Sequence, residues 1–180
     1  LSDDPTPKTQ LVFKLASLDN SSNIVYLARP GQYAGGNGNK CSPEYWSGKR
    51  FSEEVISSSV KAIDILKEKS GAKKVALIGY SGGAAVAVLI AARRSDVESI
   101  RTICGNLAAS EVNKYHNVDQ LDGSIDPISA ASGVASIPQR HFVGEKDKIV
   151  PPFIAKIFVR AEGDKDYSTI SVVKGATHHS

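Results

Sequence analysis

Residues 79–83 read GYSGG, so Ser81 stands among glycines at the junction of two apolar segments. Residues 75–78 (VALI) are wholly apolar, which predicts a buried parallel strand. Residues 82–94 are rich in alanine, with valine and leucine between, which predicts a helix. A strand, the pattern G-x-S-x-G and a helix together predict a nucleophile elbow, a strained turn that exposes a serine hydroxyl. Glycines around a serine also occur in ordinary turns, so the pattern needs support from elsewhere in the chain.

A serine hydroxyl is a weak nucleophile near neutral pH, so it needs a base, and the base needs a group to orient it. The chain supplies both, in the order serine, aspartate, histidine. Asp147 follows a predicted strand at residues 141–143, and His178 follows another at residues 169–173. The carboxyl ends of parallel strands share one edge of a sheet, so Ser81, Asp147 and His178 are expected to meet there.

Both partners of the serine have neighbours that offer the same chemistry. Glu145 and Asp164 are the alternatives to Asp147, although Asp164 lies in a polar stretch typical of a solvated loop. His179 is the alternative to His178, and only topology and spacing favour His178. Adjacent histidines lack the ligand spacing of a metal site, so we predict neither a metal nor a cofactor.

These residues make the chain resemble an α/β-hydrolase over nearly its whole length. The resemblance implies a mostly parallel sheet flanked by helices, with Ser81 as nucleophile, Asp147 as acid and His178 as general base. It also implies that the N–H of Gly82 donates to an oxyanion. Four further segments resemble a group of exported, largely uncharacterised bacterial α/β-hydrolases, namely residues 26–33 (YLARPGQY), 41–46 (CSPEYW), 105–107 (GNL) and 123–127 (GSIDP). That group suggests no substrate.

By the same resemblance, the first strands and the last helix of the pattern are missing. The strand predicted at residues 23–28 would be the fourth strand of the pattern, so the third strand is absent. The loop after that third strand normally gives a second N–H group to the oxyanion. The chain begins at Leu1 and contains no methionine, so we expect a processed protein or a fragment.

The other segments complete a single domain over residues 1–180. Residues 106–138 are long, polar and rich in serine and alanine, and we expect them to form a cap or lid over the site. The remaining predictions are an amphipathic helix at 8–17 with Leu11, Leu15 and Leu18 on one stripe, a loop at 29–51, a helix at 52–70 capped by Ser52 and ended by Gly71, a strand at 100–104, and a helix from Pro151 to about residue 160.

Four side chains are weaker candidates for substrate contact, namely Tyr80, Tyr33, Trp46 and His116. Tyr33 and Trp46, with Tyr45, either wall the pocket or pack the long loop, and the sequence favours neither. His141 lies inside a predicted strand and is expected to be a histidine whose hydrogen bonds are satisfied in the core or at the surface. Glycines at residues 35–38 precede Lys40, but Cys41 follows where a phosphate-binding loop needs serine or threonine.

Composition excludes some classes of partner. The net charge is +3, with 22 basic residues scattered among 19 acidic ones, which does not indicate a nucleic-acid surface. No apolar run approaches the length of a membrane span. The partner expected from Ser81, His178 and Asp147 is a small-molecule acyl substrate, while the oligomeric state stays open.

The two cysteines leave the compartment open. Cys104 ends a predicted strand and is expected to be an inert core thiol. The resemblance implies a partner for Cys41 at position 31, but Gly31 stands there, so that bridge cannot form. The resemblance also implies export, so the periplasm or cell envelope is the expected location, with the cytoplasm not excluded.

The function that follows is hydrolysis of a carboxylic ester through an acyl-enzyme, with thioesters and peptides as second choices. Two alternatives stay open. One is a pseudoenzyme or binding module on the same scaffold, which the missing oxyanion strand favours. The other is an acyltransferase that uses the same serine, histidine and aspartate.

Overall fold

A computed structural model describes residues 4–8, 10–33, 41–163 and 166–180, and its centre is a four-stranded sheet. All strand pairs are parallel and the strands lie in chain order. The strands are β1 (Val75–Tyr80), β2 (Val97–Ile103), β3 (Gln139–Gly144) and β4 (Ser168–Val173). The helices are α1 (Leu11–Leu18), α2 (Glu53–Ser70), α3 (Gly82–Ala91), α4 (Ala109–Tyr115), α5 (Ala131–Val134) and α6 (Phe153–Ala161). The expected fold class, a parallel sheet flanked by helices, is confirmed.

Helix α2 shows how local sequence sets the boundaries of an element. The Ser52 side chain accepts a hydrogen bond from the Val55 N–H at the start of the helix, as predicted. Gly71 ends the helix with φ of +70°, in the left-handed region where glycine has no steric penalty. Ile56 and Ile63 are seven residues apart, which places them on one side of the helix, and both are buried. The helix therefore packs through the face that its sequence indicates.

Helix α3 occupies the middle of the core. Every residue from Ala84 to Ala91 is buried, because small alanines let the helix approach the sheet and α2 closely. Val88 belongs to a cluster with Ile100 and Phe158, whereas Leu89 packs with Phe51 and Ile56. The helix that follows Ser81 is thus held on both sides, and the position of Ser81 is fixed with it.

Strand β1 is parallel, as predicted, but it is not fully buried. It pairs with β2 on one side only, among the described residues, and Ile78 is 43 % exposed. A wholly apolar sequence usually indicates a strand covered on both faces and both edges. Here the neighbour that would cover the second edge is not among the described strands, which is why the burial prediction is wrong.

The strand predicted at residues 23–28 is also wrong, since these residues form no sheet pairing with any described residue. Extended residues become a strand only when a neighbour satisfies their N–H and C=O groups. Val25 is 55 % exposed, as expected of an unpaired segment. Helix α1 overlaps the predicted range of 8–17 but runs from Leu11 to Leu18. Its leucine stripe is not buried, and Leu18 is 77 % exposed.

Other boundaries differ by a few residues from the predictions. Helix α3 ends at Ala91 rather than Arg94, and β2 begins at Val97 rather than at residue 100. The predicted loop at 29–51 contains a short 3-10 helix, Pro43–Trp46, while its glycine-rich centre and Lys40 lie outside the described residues. Within the described ranges, no helix combines the length and the apolar character that crossing a bilayer requires.

Candidate active site

The turn between β1 and α3 holds Ser81 in a strained conformation. Ser81 has φ of +51° and ψ of −120°, which few L-residues adopt. Its N–H donates to the Ile103 carbonyl at 2.9 Å, and its carbonyl accepts from the Ala84 N–H at 3.1 Å. A Cβ atom on Gly79 would lie 2.5 Å from the Ala84 Cα, so only glycine allows the helix to pass so close to the strand. This is the turn geometry that the GYSGG sequence predicts.

Asp147 comes three residues after β3 and is buried. Its Oδ1 accepts hydrogen bonds from the N–H groups of Ile149 and Val150, both at 2.8 Å. Its Oδ2 contacts His178 Nδ1 at 2.7 Å. The loop after β3 therefore fixes one carboxylate oxygen and aims the other at the imidazole.

His178 follows β4 through a turn that packs on the β3 loop. The Lys146 N–H donates to the Ala176 carbonyl at 2.8 Å, and the Tyr80 hydroxyl donates to the His178 carbonyl at 2.9 Å. His178 is buried, and its Nε2 lies 3.0 Å from Ser81 Oγ. The structure thus brings together the serine, histidine and aspartate that the sequence selected.

The charge state of Asp147 decides where the His178 proton resides. Burial alone would raise the pKa of Asp147, but hydrogen bonds from His178, from the backbone and from the Cys104 thiol lower the pKa below its usual value. The carboxylate can therefore only accept, so Nδ1 of His178 carries the proton. Nε2 is left with a lone pair that faces Ser81 Oγ, the orientation that a general base needs.

Cys104 is buried, as predicted, but it is also part of the site. It follows β2, adopts φ of +47°, and places its thiol beside Asp147. Burial, together with the Asp147 charge, raises the pKa of the thiol to about 12. Ligand atoms of Cys104, Asp147 and His178 lie within 4.8 Å of one another. Asp147 Oδ2 and His178 Nδ1 already bond to each other at 2.7 Å, so hydrogen bonding describes the cluster.

A cavity of about 250 Å³ opens onto Ser81 and Gly82. Arg29, Arg50 and His116 lie in its wall, together with apolar side chains. The residues that line this cavity are Arg29, Arg50, Phe51, Ser81, Gly82, Asn106, Val112, Asn113, His116, Ile149 and Val150. Gly82 is the first residue of α3, where backbone N–H groups have no partner within the helix and the helix dipole is positive.

The weaker candidates for substrate contact separate into two groups. His116 lines the cavity, and its Nε2 donates to the Ile149 carbonyl at 2.8 Å. Tyr80, Tyr33 and Trp46 are not among its described lining residues. Tyr80 bonds to the C-terminal segment, Tyr33 contacts the Tyr26 hydroxyl at 3.1 Å, and the Trp46 ring covers Gly31, where a Cβ would come within 2.6 Å.

The alternatives for acid and base occupy other places. Glu145 is exposed and accepts from the Gly175 N–H at 2.7 Å, while Asp164 lies outside the described residues. His179 is exposed, and its Nδ1 lies 2.8 Å from the Tyr80 hydroxyl. His141 is buried with Nδ1 2.8 Å from Thr102 Oγ1, as expected of a core histidine. Sequence reasoning did not anticipate Arg29, Arg50 or Asn106, since nothing local links them to Ser81.

Comparison with known proteins rests on structure alone, since no family model matches the chain and no curated protein matches it significantly. Puromycin hydrolase superposes with a TM-score of 0.67 and 18 % identity, over 83 % of this chain and 25 % of that one. An esterase from Pyrococcus furiosus gives a TM-score of 0.56 and 14 % identity, over 70 % and 53 %. A putative α/β hydrolase from Agrobacterium tumefaciens gives 0.50 and 18 %, over 71 % and 52 %. The chain spans about a quarter to a half of these proteins.

Proposed function

Because the chain has the α/β-hydrolase fold, we propose that it is a serine hydrolase that cleaves a carboxylic ester through an acyl-enzyme. The single observation that carries the proposal is the continuous hydrogen-bonded chain from Ser81 through His178 to Asp147, with contacts of 3.0 and 2.7 Å. A nucleophile, a base and an orienting carboxylate in this order are what acyl transfer requires.

In the first half of the reaction, Ser81 Oγ attacks the carbonyl carbon of the ester while His178 Nε2 takes its proton. The electron pair of the carbonyl moves to its oxygen, which the Gly82 N–H at the start of α3 stabilises. Asp147 holds His178 in place and stabilises its cationic form. The carbonyl then re-forms, the bond to the alcohol oxygen breaks, and His178 returns the proton to the leaving alcohol.

In the second half, water replaces the alcohol. His178 removes a proton from water, the hydroxide attacks the acyl carbon, and Ser81 leaves with the proton from His178. The products are a carboxylic acid and free enzyme. An acyltransferase would differ only in the nucleophile of this step, since a second alcohol or amine would replace water.

An ester is the first choice of substrate because a cavity of about 250 Å³ suits a small acyl group. The solved structure of similar fold that is named an esterase agrees with this choice. Thioesters and peptide bonds are the second choices. We also propose that residues 106–138 form a lid, because Val112, Asn113 and His116 belong to this segment and line the cavity.

Hydrolysis of 4-nitrophenyl butyrate tests the proposal. We expect turnover by the wild-type protein and a loss of at least about 10⁴-fold in Ser81→Ala and His178→Ala. His179→Ala is the matched control, since His179 is exposed and does not contact Ser81, and it should keep activity within about 3-fold of wild type. Loss of activity in His179→Ala while His178→Ala stays active would show that the base is wrongly assigned, and turnover by Ser81→Ala would refute the proposal.

A further inference from the structure

Two arginines share the cavity with the nucleophile, and neither has a described carboxylate partner. Arg29 and Arg50 line it together with Ser81 and Gly82. Arg50 Nε donates to the Ser47 carbonyl at 2.8 Å, and the Arg29 guanidinium forms no ion pair within the described residues. Within the described residues, these two half-buried cations therefore lack the ion pairs that Arg93 and Arg94 form.

Arg93 and Arg94, by contrast, form ion pairs with carboxylates. Arg93 pairs with Glu53 at 2.5 Å, and Arg94 pairs with Asp64 at 2.7 Å and Asp96 at 2.8 Å. At the cavity, burial and the charge of Arg50 lower the pKa of Arg29, and burial lowers the pKa of Arg50. Holding two unpaired cations close together is unfavourable, and an anion between them would offset that cost.

Arg29 lies close to the place where the proposed reaction occurs. A Cβ placed on Gly82 would lie 3.3 Å from Arg29 Nη1, so the guanidinium lies against the first turn of α3. This is the same helix end at which the proposed oxyanion forms. An anionic group held by Arg29 and Arg50 would therefore belong to the part of the substrate that is close to the scissile carbonyl.

The other walls of the cavity agree with an anionic ligand of small size. None of the described lining residues is an aspartate or glutamate, so no acid there would repel such a group. Phe51, Val112 and Val150 supply apolar surface that a short carbon chain can contact.

We propose that Arg29 and Arg50 form a subsite for a carboxylate on the substrate, so that the preferred ester carries a negatively charged acyl chain. Guanidinium groups match carboxylate oxygens in planar, bidentate geometry, which makes arginine suited to this recognition. This inference rests on the proposed hydrolase function and names its substrate class.

A matched pair of esters tests the subsite. Mono-4-nitrophenyl glutarate and 4-nitrophenyl pentanoate share the leaving group and the number of acyl carbons, and differ in the terminal carboxylate. With uncatalysed hydrolysis subtracted, we expect wild-type kcat/KM to be about 10- to 100-fold higher for the glutarate ester. Arg29→Gln and Arg50→Gln should each reduce that ratio about 10-fold or more. Arg160→Gln, which removes the same charge from the exposed end of α6, should leave the ratio unchanged.

The other outcomes separate this inference from the proposed function. A ratio near one in wild type, with both esters cleaved, overturns the carboxylate subsite and leaves the hydrolase intact. An equal loss on both esters in Arg29→Gln also overturns it, because Arg29 would then stabilise the oxyanion. If neither ester is cleaved and a fluorophosphonate does not label Ser81, the proposed function fails and the inference with it.

Competition against fluorophosphonate labelling of Ser81 identifies the anion without turnover. Glutarate should slow labelling of wild-type protein at concentrations at which pentanoate does not, and Arg50→Gln should remove this protection. Protection by inorganic phosphate but not by glutarate would assign the subsite to a phosphate group and overturn the carboxylate assignment.

Discussion

Replacing Asp147 with asparagine changes one atom of the site and tests how the base is oriented. In the wild-type protein, Asp147 Oδ2 accepts from His178 Nδ1 at 2.7 Å, while Oδ1 accepts from two backbone N–H groups at 2.8 Å. The amide of asparagine has one acceptor atom and one donor group. The two backbone N–H groups select the amide oxygen for the position of Oδ1, so the NH₂ group must face His178.

That arrangement reverses the tautomer of the imidazole. An NH₂ group opposite Nδ1 donates to it, so the proton of neutral His178 moves to Nε2. Nε2 lies 3.0 Å from Ser81 Oγ and can then no longer accept the serine proton. Loss of the correct tautomer in a site of this kind lowers kcat by about 10⁴-fold, which corresponds to about 5.5 kcal/mol of transition-state stabilisation.

The assay is kcat/KM for 4-nitrophenyl butyrate, measured with Asp147→Asn and with Glu145→Gln as the matched control. Glu145 is the other acid after β3, but it is exposed and bonds to the Gly175 N–H, so Glu145→Gln should change the rate by less than about 3-fold. Asp147→Asn activity within 10-fold of wild type, in a folded protein, would refute the orienting role of Asp147.

Two further predictions concern stability. Gly79→Ala places a methyl group 2.5 Å from backbone atoms of Ala84 and Gly83, so it should lower the free energy of unfolding by about 3 kcal/mol in a urea titration. Gly83→Ala is the control, because its added methyl group meets no described atom within 4 Å, and it should be neutral or slightly stabilising. Equal effects of the two substitutions would contradict the close approach of helix and strand at Gly79. Burial lowers the pKa of His141 from 6.5 to about 4, so the unfolded chain binds a proton that the folded chain rejects, and stability should fall by about 3 kcal/mol as the pH drops from 6.5 to 4. His141→Gln should flatten this dependence, and an unchanged pH profile would contradict it.

The sequence predicted the elements that carry the site because their signals are local. The apolar run at residues 75–78, the glycines around Ser81 and the cap at Ser52 each specify geometry within a few residues. Asp147 and His178 needed one further rule, that the carboxyl ends of parallel strands share an edge, and the structure brings both side chains to that edge.

What the sequence did not predict depends on contacts between distant segments. Residues 23–28 have the composition of a strand, yet strand pairing requires a neighbour that no described residue supplies. Cys104 contacts Asp147 only because β2 and β3 are adjacent in the sheet, and the sequence does not state the strand order. Arg29 and Arg50 lie in irregular segments, where no periodic pattern in the sequence predicts that both side chains line the same cavity as Gly82.

The proposed function requires Ser81 to be an activated nucleophile, and covalent labelling tests this requirement. A fluorophosphonate reacts with a serine only when a neighbouring base removes its proton as the phosphorus is attacked. Mass spectrometry of the labelled wild-type protein should place a single adduct on Ser81, and Ser81→Ala and His178→Ala should remain unlabelled. A folded wild-type protein without an adduct, or an adduct that persists in Ser81→Ala, would show that Ser81 is not the nucleophile.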